Sequence, residues 1–186
     1  MFIRKDVDER FHWNKEEHPE IKWSNTEKLL WLYWFIASTY PKKDKVIVEL
    51  GTNEGTCSTV AWTAAINETG GVLYTIDIED RGQRERLSEE SNVIIIIEND
   101  LSVGEKWDKP IDILYIDDGH EEGHVFKEVE LFAPKIVSGG LILFHDTCPG
   151  YGPYNAFNEL IKLSEWESVL KIPHIFSDGL YGARRK

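Results

Sequence analysis

Between Lys45 and Phe144 the chain alternates short, unbroken apolar runs with longer segments in which apolar residues recur every three or four positions. The runs Lys45 to Leu50, Val72 to Asp77, Val93 to Ile97, Ile111 to Asp117 and Leu141 to Phe144 read as strands buried on both faces. After the first run a glycine-containing turn leads into a helix through about Ile66, and Gly70-Gly71 closes it. Val125, Val129, Phe132 and Ile136 share one helical face and stop before Ser138-Gly139-Gly140. Upstream, residues 24–27 (SNTE) have capping-box spacing, and Leu29, Leu30, Trp31, Trp34, Phe35 and Ala37 predict a buried helix that ends before Pro41. Downstream, a Pro/Gly-rich loop follows His145-Asp146, then a helix around Ala156 to Leu163 and two strand-like runs joined at Asp178-Gly179, a hairpin signal. Alternating units of this length predict an open, mostly parallel α/β sheet with helices on both faces and an antiparallel finish.

Composition narrows the partners. With 41% apolar and 12% aromatic residues in 186, one sizeable core is affordable, and one compact unit is the expectation. A formal net charge of -12 would repel a phosphate backbone, so nucleic acid is not expected as a partner. No run of about 18 apolar residues exists, and the opening MFIRKDVDERFHW is charged where a signal peptide is apolar, so the expectation is a soluble, cytoplasmic protein with no membrane partner. The only thiols, Cys57 and Cys148, lack metal-site spacing and read as reduced and unpaired.

The turn after the first strand, VELGTNEGTCS over residues 48–58, carries the chemistry, because ligands in open α/β sheets bind beyond the carboxyl ends of the strands. A phosphate loop needs Lys-Ser or Lys-Thr after its second glycine, and Thr56-Cys57 stands there. A dinucleotide loop needs a further glycine where Asn53 stands, and Glu54 adds negative charge beside it. Carboxylates at Glu49, Glu54 and Asp117 suit a nucleoside bearing a cationic centre and no phosphate, and S-adenosylmethionine is such a ligand. Asp77, about 20 residues beyond the turn, is placed to accept from ribose hydroxyls, and Asp100 at the end of the third strand to meet an adenine amino group.

ELGTNEG and TIDIED resemble the first and second motifs of class I S-adenosylmethionine-dependent methyltransferases. IDILYIDDGHEEGHVFKEVELFAPKIVSGGLILFHDT resembles the small-molecule group that includes catechol O-methyltransferase-like enzymes, macrocin O-methyltransferases and cephalosporin hydroxylase-like proteins. The resemblance spans roughly Lys45 to Leu163 and implies a Rossmann-like, doubly wound, seven-stranded sheet with one antiparallel strand. It implies a helical cover over residues 1–43 and a cofactor-binding unit over 44–186. It places Glu49, Gly51, Thr52, Asn53, Gly55, Asp77, Ile78, Asp100 and Leu101 around the cofactor, with Asp117 beside them.

Methyl transfer to a hydroxyl needs an aligned nucleophile and a group that takes its proton. His120, three residues past Asp117, is the first choice of base, and His145 the second. Asp117 and Asp146 end adjacent strands and are the candidate Mg²⁺ ligands, although Thr147 stands where catechol-type enzymes carry Asn. The alternative is that these acids hold the methionine ammonium or orient loops. The expected acceptor is a small molecule or sugar, with a homodimer left open. A nicotinamide-dependent oxidoreductase and a noncatalytic S-adenosylmethionine-binding protein are the competing readings.

Overall fold

The computed structural model describes residues 27–173 and 179–186. Helix α1 (Glu27–Thr39) precedes β1 (Val46–Leu50), α2 (Ser58–Thr69), β2 (Val72–Asp77), α3 (Gln83–Arg86), β3 (Val93–Ile97) and α4 (Asp100–Lys106). There follow β4 (Ile111–Ile116), α5 (Glu122–Phe132), a 3₁₀ turn (Ala133–Lys135), β5 (Ile136–His145), α6 (Gly152–Leu160), β6 (Trp166–Ile172) and β7 (Leu180–Arg185). The strands form one sheet in the order β3-β2-β1-β4-β5-β7-β6. Only β7 opposes its neighbours, pairing antiparallel with both β5 and β6. Strand order reverses between β1 and β4, which makes their carboxyl ends the switch point of the sheet.

The pleat divides the core between the two faces. Ile47, Ile113, Tyr115 and Leu143 pack with Tyr33 and Trp34 of α1 and Trp62 of α2, while Val48, Leu50, Leu114, Ile116 and Phe144 pack with Val125 and Phe132 of α5 and Phe157 of α6. Helix α1 therefore shares the core of the sheet; residues 1–26, which hold most of the capping box and of the predicted cover, lie outside the described residues. Its buried stripe is Leu29, Leu30, Tyr33, Trp34 and Ala37, and helical phase turns Trp31 and Phe35 outward, 47% and 38% exposed.

Several boundaries differ from the sequence reading, with α6 (Gly152–Leu160) starting and ending earlier than the expected Ala156 to Leu163. Ile136 belongs to β5, because Pro134 breaks the helical hydrogen-bond ladder after Phe132. Ser138-Gly139-Gly140 does not end an element either: β5 bulges there, its register against β4 shifting between Ile136 and Leu141, with Gly139 at φ 82°. The predicted turn at Asp178-Gly179 falls largely on residues 174–178, outside those described. At the far end of the sheet, fully buried Asp112 accepts from Lys42 Nζ at 2.7 Å and the Val46 amide at 2.8 Å, so this buried charge is structural.

Candidate active site

At the switch point Gly51 has φ 91°, and a Cβ there would lie 2.2 Å from the Asp117 carbonyl oxygen, so only glycine fits between the ends of the strands. The Gly51 amide donates to Ile76 O and the Asp117 amide to Leu50 O, both at 2.9 Å, which pins this turn to β2 and β4. Asn53 follows in the left-handed region at φ 51°. Its amide donates to Asp77 Oδ2 at 2.7 Å, and the Glu79 amide donates to Oδ1 at 3.1 Å. Asp77 thus shapes the loop, and the next residue, Ile78, is 66% exposed, an apolar surface beside a carboxylate that fits a nucleoside.

Glu49 is turned inward. Its carboxylate is fully buried and accepts from Ser58 Oγ, Thr59 Oγ1 and Thr75 Oγ1, each at 2.7 Å, joining β1 and β2 to the first turn of α2. Burial pushes its pKa up to about 7 against the pull of those hydroxyls, so it does not supply the full negative charge that the sequence argument gave it. That argument also missed two cations: Arg81 donates to Asn53 Oδ1 at 3.1 Å, and Arg86 donates to the Glu54 carbonyl. The charge around the loop is mixed. The signal was the RGQRER segment over residues 81–86, in the connection after β2.

The ends of β4 and β5 bring together three of the predicted groups and a fourth from the following loop. Asp117 Oδ2 accepts from Tyr115 Oη at 2.9 Å, and Tyr115 Oη lies 2.9 Å from Tyr33 Oη. His145 Nδ1 lies 2.8 Å from Asp117 Oδ1 and 3.4 Å from Asp146 Oδ2. His120 Nε2 lies 2.8 Å from the same Asp146 oxygen, and its ring stacks on Tyr151 with centroids 5.4 Å apart. Burial disfavours a charged His145, but the Asp117 and Asp146 carboxylates outweigh it and raise its pKa to about 10. An imidazolium has no lone pair, so these contacts favour His145 as a buried cation over its reading as second base candidate. Burial works to raise the Asp146 pKa, but both histidines draw it below the usual range, and it stays ionised.

The donor atoms of Asp117, His145 and Asp146 lie within 4.8 Å of one another. This set fits magnesium poorly, because the ion prefers oxygen ligands and the His145 nitrogen already stands between the two carboxylates as their balancing charge. Thr147, the next residue, is fully buried.

Asp118 goes the other way, as strand alternation requires of Asp117's neighbour. It joins Asp100, His124 and Glu128 in a second cluster on the α5 face. Asp100 does not end β3 but opens α4 behind the N-cap Asn99, and its Oδ2 lies 3.1 Å from His124 Nε2. The sequence signal for this cluster was the four-residue spacing of His124 and Glu128 on one helix. Burial raises the Cys57 thiol pKa, which leaves no activated nucleophile there.

A family model described as a methyltransferase domain matches residues 48–147, more than half of the chain, from within β1 to Thr147. The chain is similar in structure to the S-adenosylhomocysteine-bound methyltransferase PaMTH1 of Podospora anserina, with TM-score 0.73 and 17% identity over 99% of this chain and 89% of that one. It is similar to the O-methyltransferase TomG of Streptomyces achromogenes, involved in tomaymycin synthesis and bound to S-adenosylmethionine, with TM-score 0.72 and 16% identity over 96% and 90%. An rRNA methylase from Streptococcus thermophilus also matches, with TM-score 0.63 and 15% identity over 83% and 94%. At such identities the shared property is the fold.

Proposed function

The chain belongs to the methyltransferase-domain family as a class I, S-adenosylmethionine-dependent enzyme, and we propose that it methylates a hydroxyl of a small molecule or sugar. One observation carries the choice of a hydroxyl: the His120–Asp146 pair at 2.8 Å at the strand ends, next to the switch-point loop. With Nε2 donating to ionised Asp146, a neutral His120 keeps Nδ1 as its acceptor, oriented as a carboxylate-held histidine base is.

In this reading Gly51, Thr52, Asn53 and Gly55 form the cofactor cradle, with buried Glu49 holding the cradle to α2 from behind. Asp77 receives the ribose hydroxyls, Ile78 packs on the adenine, and the main chain at Asp100-Leu101 takes the adenine edge, since the Asp100 carboxylate is turned toward α5. Asp117 receives the methionine ammonium. The bound cofactor supplies an electrophilic methyl group on a sulfonium. His120 takes the acceptor's hydroxyl proton as the oxygen attacks, and Asp146 steadies the imidazolium that forms. His145 holds Asp117 and Asp146 in place, and no step requires a metal.

The test is transfer of an isotopically labelled methyl group to a panel of catechols, other phenols, sugars and rRNA, in buffers containing Mg²⁺ or EDTA. Labelled small-molecule ethers formed equally in both buffers are expected. Methylated rRNA alone, or adenosylhomocysteine binding without transfer to any acceptor, refutes the proposal. Heat from NAD without heat from adenosylhomocysteine in calorimetry favours the oxidoreductase.

A further inference from the structure

We propose that Asp100, Asp118, His124 and Glu128 form a binding site for a divalent transition-metal cation, Zn²⁺ or Mn²⁺, distinct from the Asp117–His145–Asp146 cluster. The four donors come from three elements: the first residue of α4, the loop after β4, and two positions one turn apart on α5. Their ligand atoms all lie within 4.8 Å of one another. Donors at bonding distance from one ion sit roughly 3–4 Å apart, so side-chain adjustments of about an ångström or less close the shell. His124 Nε2 already faces inward, 3.1 Å from Asp100 Oδ2 and 3.4 Å from Asp118 Oδ2.

The second observation is Glu128. Its residue is fully buried, and among the described residues neither carboxylate oxygen meets a hydrogen-bond donor. Asp118 Oδ1 is likewise buried without one, and Asp100 Oδ2 meets only the His124 imidazole. Uncompensated carboxylates in such a place cost several kcal/mol, which a cation bound to them removes. The charge balance separates this cluster from the neighbouring one. Asp117 and Asp146 have two imidazoles and a tyrosine hydroxyl between them, whereas three carboxylates here share one imidazole. One nitrogen among three oxygens suits Zn²⁺ or Mn²⁺ better than Mg²⁺ or Ca²⁺. Bound there, the ion ties α4 and α5 to Asp118 and so braces the segment that carries Asp117 and His120.

The full chain, stripped with EDTA and passed into chelator-free buffer, is titrated calorimetrically with ZnCl₂, MnCl₂ and MgCl₂. One equivalent of Zn²⁺ or Mn²⁺ is expected to bind at least ~100-fold more weakly to the His124→Ala and Glu128→Gln variants, and undiminished to Asp146→Asn. Glu128→Gln keeps the side-chain volume, and circular dichroism confirms its fold. Anomalous diffraction at the zinc edge of wild-type crystals is expected to show a peak bonded to His124 and Glu128. The proposal is overturned if no equivalent binds, if Asp146→Asn alone abolishes binding, or if the peak lies elsewhere; the first outcome identifies a cluster of carboxyls sharing protons.

Discussion

Raising the pH should unfasten the buried His145, and the size of the effect follows from its surroundings. Its ring is 5% exposed and touches two carboxylates, which move its pKa from 6.5 to about 10 against the burial penalty. The folded-state pKa lies above the unfolded one, so the stabilisation is fully present below about pH 6.5 and is lost as pH rises through about 10. At about 1.4 kcal/mol per pH unit, that window sets a ceiling of roughly 4–5 kcal/mol, and relaxation of a buried pair leaves ~2–4 kcal/mol as the expectation. Urea unfolding at pH 6, 8 and 10 of the wild type and of His145→Gln isolates the effect, because the other titrating groups are common to both. The stability gap between the two should be widest at pH 6 and shrink by ~2–4 kcal/mol by pH 10. Parallel curves, or a His145 resonance that titrates near pH 6.5 by NMR, refute the reasoning and return both acids to metal binding.

Three further outcomes are expected. His120→Ala should lower kcat about 10²–10⁴-fold in labelled-methyl assays while adenosylhomocysteine affinity stays unchanged; an unaltered kcat removes it as base. Gly51→Ala should destabilise the fold by more than ~2 kcal/mol in thermal unfolding, because its Cβ would strike main chain at 2.2 Å and its φ is 91°. Glu49, whose pKa rises from 4.5 to about 7, should make folding less favourable as pH climbs across that window; Glu49→Gln should gain up to ~3 kcal/mol relative to wild type between pH 4.5 and 8, and a constant difference refutes it.

The fold was largely legible because its strands are apolar on both faces and bounded by glycine or charge. Val72–Asp77 and Val93–Ile97 are found with the predicted limits. The errors lie where a local signal was overridden by pairing. Ser138-Gly139-Gly140 reads as a break, yet β4 pairs with Ile136 before it and with Leu141 to Phe144 after it, which carries β5 through as a bulge. The short helix α4 escaped notice because its seven residues, with Gly104 among them, form no apolar stripe, and its start is set by the Asn99 side chain accepting from the Ser102 amide.

The site was legible as a set of residues but not as a set of directions. A motif gives Glu49 and Asp77 the same standing, since each is a carboxylate at, or one residue before, the end of a strand. Glu49 spends its oxygens on Ser58, Thr59 and Thr75 inside the core, whereas Asp77 holds the loop from the surface side. Asp117 and Asp118 differ by one position in the chain, yet the alternation of side chains sends the first to Tyr115 and His145 and the second to His124 and Glu128. Counting carboxylates along the sequence therefore misjudges the charge a cofactor meets. That charge depends on which acids are neutralised where they point, by His145 and His120 in one cluster and by a single imidazole in the other.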